Sequence, residues 1–134
     1  MKVMEKVVLI TGASSGFGYL TALEFAGNGY KVIAAVRNSK KGARLLKEAT
    51  KLKLQDNITL ETLDVTCAKS IAALAEKVEA KGRLDILVNN AGYAGAGFAE
   101  EIPVVEYREQ LETNFFGAIA VTQAFLPLMR NRRS

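Results

Sequence analysis

Four apolar residues, Val7-Val8-Leu9-Ile10, run directly into Thr11-Gly12-Ala13-Ser14-Ser15-Gly16-Phe17-Gly18. The apolar run is mostly β-branched and reads as a buried strand. After the three glycines the pattern changes to that of a helix. A strand, a glycine-rich turn and a helix N-terminus together make an anion site, because the first helical N–H groups have no partner within the helix. Gly12 is expected to let the chain turn without a Cβ clash. Gly16 lets the backbone approach a pyrophosphate, and Gly18 lets the helix pack close to the strand. The spacing differs from G-x-G-x-x-G, so that fingerprint does not apply directly. The plainer reading is a tight turn whose glycines serve packing alone.

The rest of the chain continues the alternation. The first helix is expected over Gly16 to Asn28, with Gly18, Ala22, Phe25 and Ala26 on one face and Gly27-Asn28-Gly29 as its stop. Lys31 to Val36 reads as a second buried strand. Ser39 is expected to cap a second helix over about residues 40 to 52. Ile58 to Leu63 is a third strand, polar enough for a sheet edge. Thr66 is expected to cap a third helix with Ile71, Leu74, Ala75 and Val78 on its apolar face. Ile86-Leu87-Val88 is a fourth strand, followed by a glycine-rich loop from Gly92 to Gly97. Pro103 fits the first turn of a long helix carrying Tyr107, Leu111, Phe115, Ala118, Thr122 and Phe125 along one side. Pro127 is expected to end or kink it.

Strands alternating with helices give an α/β, Rossmann-like, doubly wound parallel sheet. The strand order expected is 3-2-1-4, with a crevice where the order reverses between strands 1 and 4. The Gly12–Gly18 turn and the Asn90–Gly92 turn meet there.

Composition narrows the chemistry. The 134 residues carry 18 Lys+Arg and 14 Asp+Glu, a mild net charge of +4. Basic and aromatic residues do not alternate as in single-strand nucleic-acid binders, so no nucleic-acid partner is expected. Cys67 is the sole cysteine, which rules out an internal disulfide. There is no histidine, the commonest metal ligand and general base, and no metal site is expected. No apolar run approaches the roughly 18 residues of a membrane span. The N-terminal apolar run is too short for a signal peptide, and a cytoplasmic location is the expectation.

Strand 2 ends in Val36-Arg37-Asn38, where a fold that prefers NAD usually has a carboxylate for the ribose hydroxyls. A guanidinium instead matches a 2′-phosphate. Arg37 therefore points to NADP(H) rather than NAD(H), or else is a solvated surface arginine.

The chain resembles the N-terminal half of a short-chain dehydrogenase/reductase. Thr11 to Gly18 is similar to that family's T-G-x-x-x-G-x-G cofactor motif, and Leu63-Asp64-Val65-Thr66 to the segment whose aspartate contacts the adenine ring. Asn89-Asn90-Ala91-Gly92 is similar to the N-N-A-G motif closing strand 4, and Asn114 to the asparagine of the catalytic tetrad. The resemblance implies cofactor contacts at Gly12, Ser14, Ser15, Gly16, Phe17, Gly18, Arg37, Asn38, Asp64, Val65, Asn90, Ala91 and Gly92. It implies for Asn114 a part in a water-linked proton relay. Plainer roles stand beside these. Asp64 sits in a turn before a helix, Asn90 is placed to tie neighbouring strands, and Ser14 and Ser15 fill a turn. Asn114 lies on the apolar side of the long helix, so a buried, fully partnered amide is expected there, one that at its plainest holds a helix kink.

The family's serine follows strand 5, and its Tyr-x-x-x-Lys lies beyond. Four residues after Tyr19, Tyr30, Tyr93 and Tyr107 stand Leu23, Ala34, Gly97 and Leu111, so that motif does not occur here. The expectation is a cofactor-binding domain over residues 1–134 that stops before strand 5, with strand 4 as an open edge and little or no catalysis. In complete form it would transfer hydride between nicotinamide and a carbonyl/alcohol substrate. The alternative is a dinucleotide-binding module without turnover. The resemblance also implies a homo-oligomer that uses the long helix. The end of strand 2 is similar to hydroxysteroid- and retinol-type reductases, but no substrate follows from it. If Arg37 holds a 2′-phosphate, Arg37→Asp weakens NADPH binding by about 10- to 100-fold. NADH binding falls far less, and equal losses in calorimetric titrations would refute the assignment.

Overall fold

The computed structural model describes residues 5–133. Four parallel strands alternate with helices: β1 (Val7–Thr11), α1 (Gly16–Gly27), β2 (Lys31–Val36), α2 (Ser39–Lys51), β3 (Ile58–Thr62), α3 (Ala68–Lys81), β4 (Ile86–Val88), α4 (Val104–Leu111) and α5 (Ala118–Asn131). The sheet order is β3-β2-β1-β4. β1 pairs with β2 from Val7↔Lys31 to Thr11↔Ala35, and with β4 from Val8↔Ile86 to Ile10↔Val88. β2 pairs with β3 from Val32↔Ile58 to Val36↔Thr62. The polar strand 3 occupies one edge, as its composition requires, and the short β4 the other.

Strand side chains alternate between the two faces of a sheet. Here both faces are apolar, so both are covered. Val8, Ile10, Val32, Ala34 and Val36 pack with Ala22 and Ala26 of α1 and Leu45 and Ala49 of α2. Leu9, Ile33 and Ala35 pack on the other side with Ile71, Leu74 and Val78 of α3 and Val121 and Phe125 of α5. One strand thus feeds two cores, which fixes its register: a one-residue slip would exchange its side chains between them.

Several local expectations change. Asn38, not Ser39, caps α2; its Oδ1 accepts from the Lys40 N–H at 2.9 Å, and Ser39 is the first helical residue. Asparagine here has extended backbone and a short acceptor, as an N-cap needs. Thr66 does not cap α3. Cys67 holds the cap position without a side-chain bond, while the Thr66 N–H and hydroxyl both donate to Asp64. Pro103 lies just before α4 rather than in its first turn. α5 runs through Pro127 to Asn131. Gln123 and Pro127 are both exposed, so the carbonyl that a proline leaves without a donor is open to water. Phe25 is only half-buried, against Tyr30 in an edge-on ring contact at 5.0 Å. No described helix is long and apolar enough to cross a membrane.

Two elements that sequence patterning does not single out complete the frame. A wide π-helical turn, Glu112–Gly117, joins α4 to α5 without a break. At the opposite end of the sheet, Arg83 grips Asp85 through Nε and Nη2, at 2.6 and 3.0 Å. Asp85 also accepts from the Val7 N–H at 2.8 Å, so the pair anchors the entry to β4 against the start of β1.

The hydrogen bonds from Arg83, then that from Val7, hold the Asp85 carboxyl below its ordinary range against an opposing desolvation effect. A carboxyl with a lowered folded-state pKa adds stability above its unfolded value, near ~3.9, and loses it as the pH falls through the folded value. The unfolding midpoint is therefore expected to drop by several degrees on acidification below about pH 4. Asp85→Ala lowers the midpoint at neutral pH and shrinks that acid-induced drop. An unchanged acid limb in thermal melts would show that the pair does not contribute.

Candidate functional site

The C-terminal ends of β1, β2, β3 and β4 open onto a cleft of about 740 Å³. Its floor is the turn from β1 into α1. Gly12 has φ +66°, and a Cβ there would come within 2.8 Å of the Ala91 Cα. At Gly18 a Cβ would overlap the Gly12 carbonyl and the Asn90 amide. The two glycines let α1 begin directly on the strand ends. Ser15 occupies the N-cap of α1 but makes no side-chain cap bond, and the first turn holds no carboxylate. The positive end of the helix is thus left to face the cleft. Gly12, Ser14, Ser15, Gly16 and Phe17 line it; Gly18 is buried beneath. Phe17 stands at the mouth with 84% of its surface exposed.

Thr11 ties this turn to β4. Its side chain is 1% exposed, and its hydroxyl accepts the Asn90 N–H at 3.0 Å and the Ala91 N–H at 2.9 Å. Asn90 answers through Nδ2, which donates to the carbonyls of Thr11 and Gly12, both at 3.1 Å. The strand-tying role of Asn90 is therefore real, and the residue still borders the cleft together with Ala91 and Gly92. The Ala13 N–H donates to the Ala35 carbonyl at 3.1 Å, which joins the same turn to β2.

The far wall comes from the ends of β2 and β3. Arg37 and Lys41 both line it. Asp64 accepts at one oxygen from the Thr66 N–H and hydroxyl, at 2.9 and 2.7 Å, while its own N–H donates to the Ser70 hydroxyl at 2.9 Å. The Thr66 side-chain and backbone bonds, and beyond them the Arg37 charge, hold its carboxyl below the usual range. Asp64 is thus an ionised acceptor at neutral pH. It sits in the turn before α3 and also lines the cleft, as does Val65. Asn38, by contrast, spends its side chain on capping α2 and is not in the lining.

Asn114 falls in the π-helical turn and does not line the cleft. It is exposed rather than buried, yet its amide is partnered: Oδ1 accepts the Tyr93 N–H at 2.9 Å, and Nδ2 donates to the Tyr93 carbonyl at 2.6 Å. The helix side on which it lies is open in this chain, with Phe115 53% exposed and Leu111 uncovered. Apolar spacing marks a face; what covers that face is not written in the helix itself.

Sequence reasoning missed several cleft residues. Lys41 had a signal: a cation in the first turn of a helix, where the macrodipole disfavours one. Thr11, buried beneath the cleft rather than lining it, had one too, as a hydroxyl closing an apolar strand. Tyr93 follows Gly92 at the end of β4, whereas Glu109, Glu112 and Thr113 reach the lining from α4 and the π-helical turn, a tertiary fact. Among the described residues no group of three or more His, Cys, Asp or Glu is placed to hold a metal.

A four-stranded parallel sheet in this order, with a glycine turn and bare helix N-terminus at its switch point, defines the Rossmann-like nucleotide-binding class. Within it, the chain belongs to the short chain dehydrogenase family, whose pattern it matches over residues 6–134. It is 43% identical over 126 residues to the uncharacterized oxidoreductase YusZ of Bacillus subtilis, over 94% of this chain and 45% of that protein. A crystal structure of a short-chain dehydrogenase from Streptomyces avermitilis superposes with a TM-score of 0.87 at 39% identity, over 97% of this chain and 46% of that one. A variant of actinorhodin polyketide ketoreductase, solved with NADPH, gives 0.87 at 33% identity, over 96% and 49%. The chain spans about half the length of these relatives.

The Thr11 hydroxyl holds the cleft floor together, so Thr11→Val is expected to cost about 1–3 kcal/mol by leaving two part-buried N–H groups without that acceptor. Thr11→Ser keeps the acceptor and is expected to lose less. Denaturant melts that rank serine below valine would refute this account.

Proposed function

We propose that the chain is the NADP(H)-binding part of a short-chain oxidoreductase. The observation that carries this reading is the charge layout of the cleft. An uncapped helix N-terminus lies over Gly12 and Gly16 for a pyrophosphate, and two cations, Arg37 and Lys41, stand at the end of β2 for a 2′-phosphate. NAD-preferring folds place a carboxylate at that strand end. The solved NADPH complex among the structural neighbours supports the same cofactor.

The residues present fit such a group. Gly12 and Gly18 clear space that a Cβ would fill. Ser14 and Ser15 lie beside the turn as hydroxyl donors. Asp64, ionised and held by Thr66, is an acceptor for the adenine amine, and Val65 gives the ring an apolar contact. Asn90, Ala91 and Gly92 border the other half of the dinucleotide. Bound there, the cofactor supplies hydride for exchange between a carbonyl and an alcohol.

Such an exchange also needs a proton donor at the carbonyl oxygen. The sequence holds no Tyr-x-x-x-Lys. We assign that group, and the substrate pocket, to the remaining length of the longer relatives. Asn114 is assigned to organising the site through the Tyr93 backbone. For these 134 residues the missing motif also favours binding without turnover.

Titration calorimetry of the chain with NADPH and NADH, after light scattering to establish its mass, tests the proposal. The expected outcome is saturable binding with NADPH favoured by at least about tenfold, the smaller end of what a charge-assisted phosphate contact contributes. Equal affinity would remove the NADP(H) assignment. No binding by a monodisperse sample would remove the cofactor-binding reading.

A further inference from the structure

The glycine-rich loop over residues 92–97 follows β4 and belongs to no strand or helix. Two of its residues, Gly92 and Tyr93, line the cleft. Two side-chain amides on successive turns of the overlying helix hold it. Asn114 exchanges both of its bonds with the Tyr93 peptide, at 2.9 and 2.6 Å. One helical turn earlier, Gln110 Oε1 accepts the Gly95 N–H at 2.8 Å. Residues four apart share a helix face, so the two amides act side by side. The loop is glycine at both points of approach. A Cβ at Gly92 would stand 2.9 Å from Asn114 Oδ1, and one at Gly95 would stand 3.2 Å from Gln110 Oε1.

We propose that Gln110 is a positioning residue for the cleft: with Asn114 it clamps the 92–97 loop by its backbone and so fixes the wall that Tyr93 presents. Gln110 does not itself line the cleft and acts only through the loop. The chemistry of the contact is specific. The loop donates at Gly95, so position 110 must carry an acceptor. Glutamate keeps that acceptor at the same reach; alanine removes it. A dinucleotide crosses the switch point, with its adenosine half toward the β2 end and its nicotinamide half toward β4. The clamp therefore bears on the nicotinamide half alone. This last step rests on the function proposed above, whereas the clamp itself does not.

The test compares the parent chain with Gln110→Ala and Gln110→Glu. Amide hydrogen exchange is read at Gly95, and affinity is read for NADPH and for 2′,5′-ADP, which lacks the nicotinamide half. Gln110→Ala is expected to speed Gly95 exchange by roughly fivefold or more and to weaken NADPH by a similar factor, the scale of one net hydrogen bond. Its 2′,5′-ADP affinity is expected to match the parent, and Gln110→Glu to restore both readouts. Parental Gly95 exchange in Gln110→Ala would overturn the clamp, as would a glutamate variant that behaves like alanine. Equal weakening of both ligands would overturn its restriction to the nicotinamide half. If the parent binds neither ligand, the nucleotide reading fails, and Gly95 exchange alone still decides the clamp.

Discussion

Everything at the cleft depends on how the ends of β1 and β4 are tied. These strands are neighbours in the sheet but lie some 80 residues apart in the chain. The ladder between them is short, Val8 to Ile10 against Ile86 to Val88, and gives out where the site begins. The Thr11 hydroxyl and the Asn90 amide continue the pairing by side-chain bonds. Four contacts of 2.9 to 3.1 Å satisfy two backbone donors and two carbonyls that the ladder would leave open. Buried polar groups left open are costly. That cost holds the Gly12 turn against Ala91 and gives α1 a fixed starting point.

Electrostatic character follows from this geometry. The α1 N-terminus carries no side-chain cap bond and no carboxylate in its first turn, and so presents its positive pole to the cleft. Arg37 and Lys41 add full charges on the same cleft; the Thr66 hydrogen bonds, with a smaller contribution from the Arg37 charge, hold the Asp64 carboxyl below its usual range. Glu109 and Glu112 line the side nearer α4. The lining thus carries Arg37 and Lys41, with Asp64, toward the strand 2 and strand 3 ends, and Glu109 and Glu112 on the α4 side.

The alternation of strand and helix, the strand order and the glycine turn were legible because each rests on local pattern. Apolar runs of strand length, helical spacing of Ile71, Leu74 and Val78, and glycines between strand and helix are readable without knowing what they touch. The cap assignments at Ser39 and Thr66 were harder. At α2 the cap falls to Asn38, an equally good acceptor one residue before Ser39; at α3 Thr66 gives its N–H and hydroxyl to Asp64 instead, and Cys67 holds the cap position without a side-chain bond. The apolar spacing around Asn114 predicts burial, yet the residue is exposed, because spacing marks a face without saying what covers it. Tyr107, Leu111 and Phe115 share its helix side and are exposed with it.

By itself the sequence determined the doubly wound sheet, the crevice between strands 1 and 4, and the family motifs that meet there. Period-2 and period-3.6 patterns fix which faces must be buried, and with parallel strands few topologies satisfy them. Only the tertiary structure decided which side chains meet across the chain. It paired Thr11 with Asn90, placed Arg37 and Lys41 on the cleft that the glycine turn floors, and bonded the loop at Tyr93 and Gly95 to Asn114 and Gln110. The reason is physical: a hydrogen-bond partner tens of residues away leaves no periodic trace in either segment, and is chosen only once the backbone has placed donor and acceptor within reach.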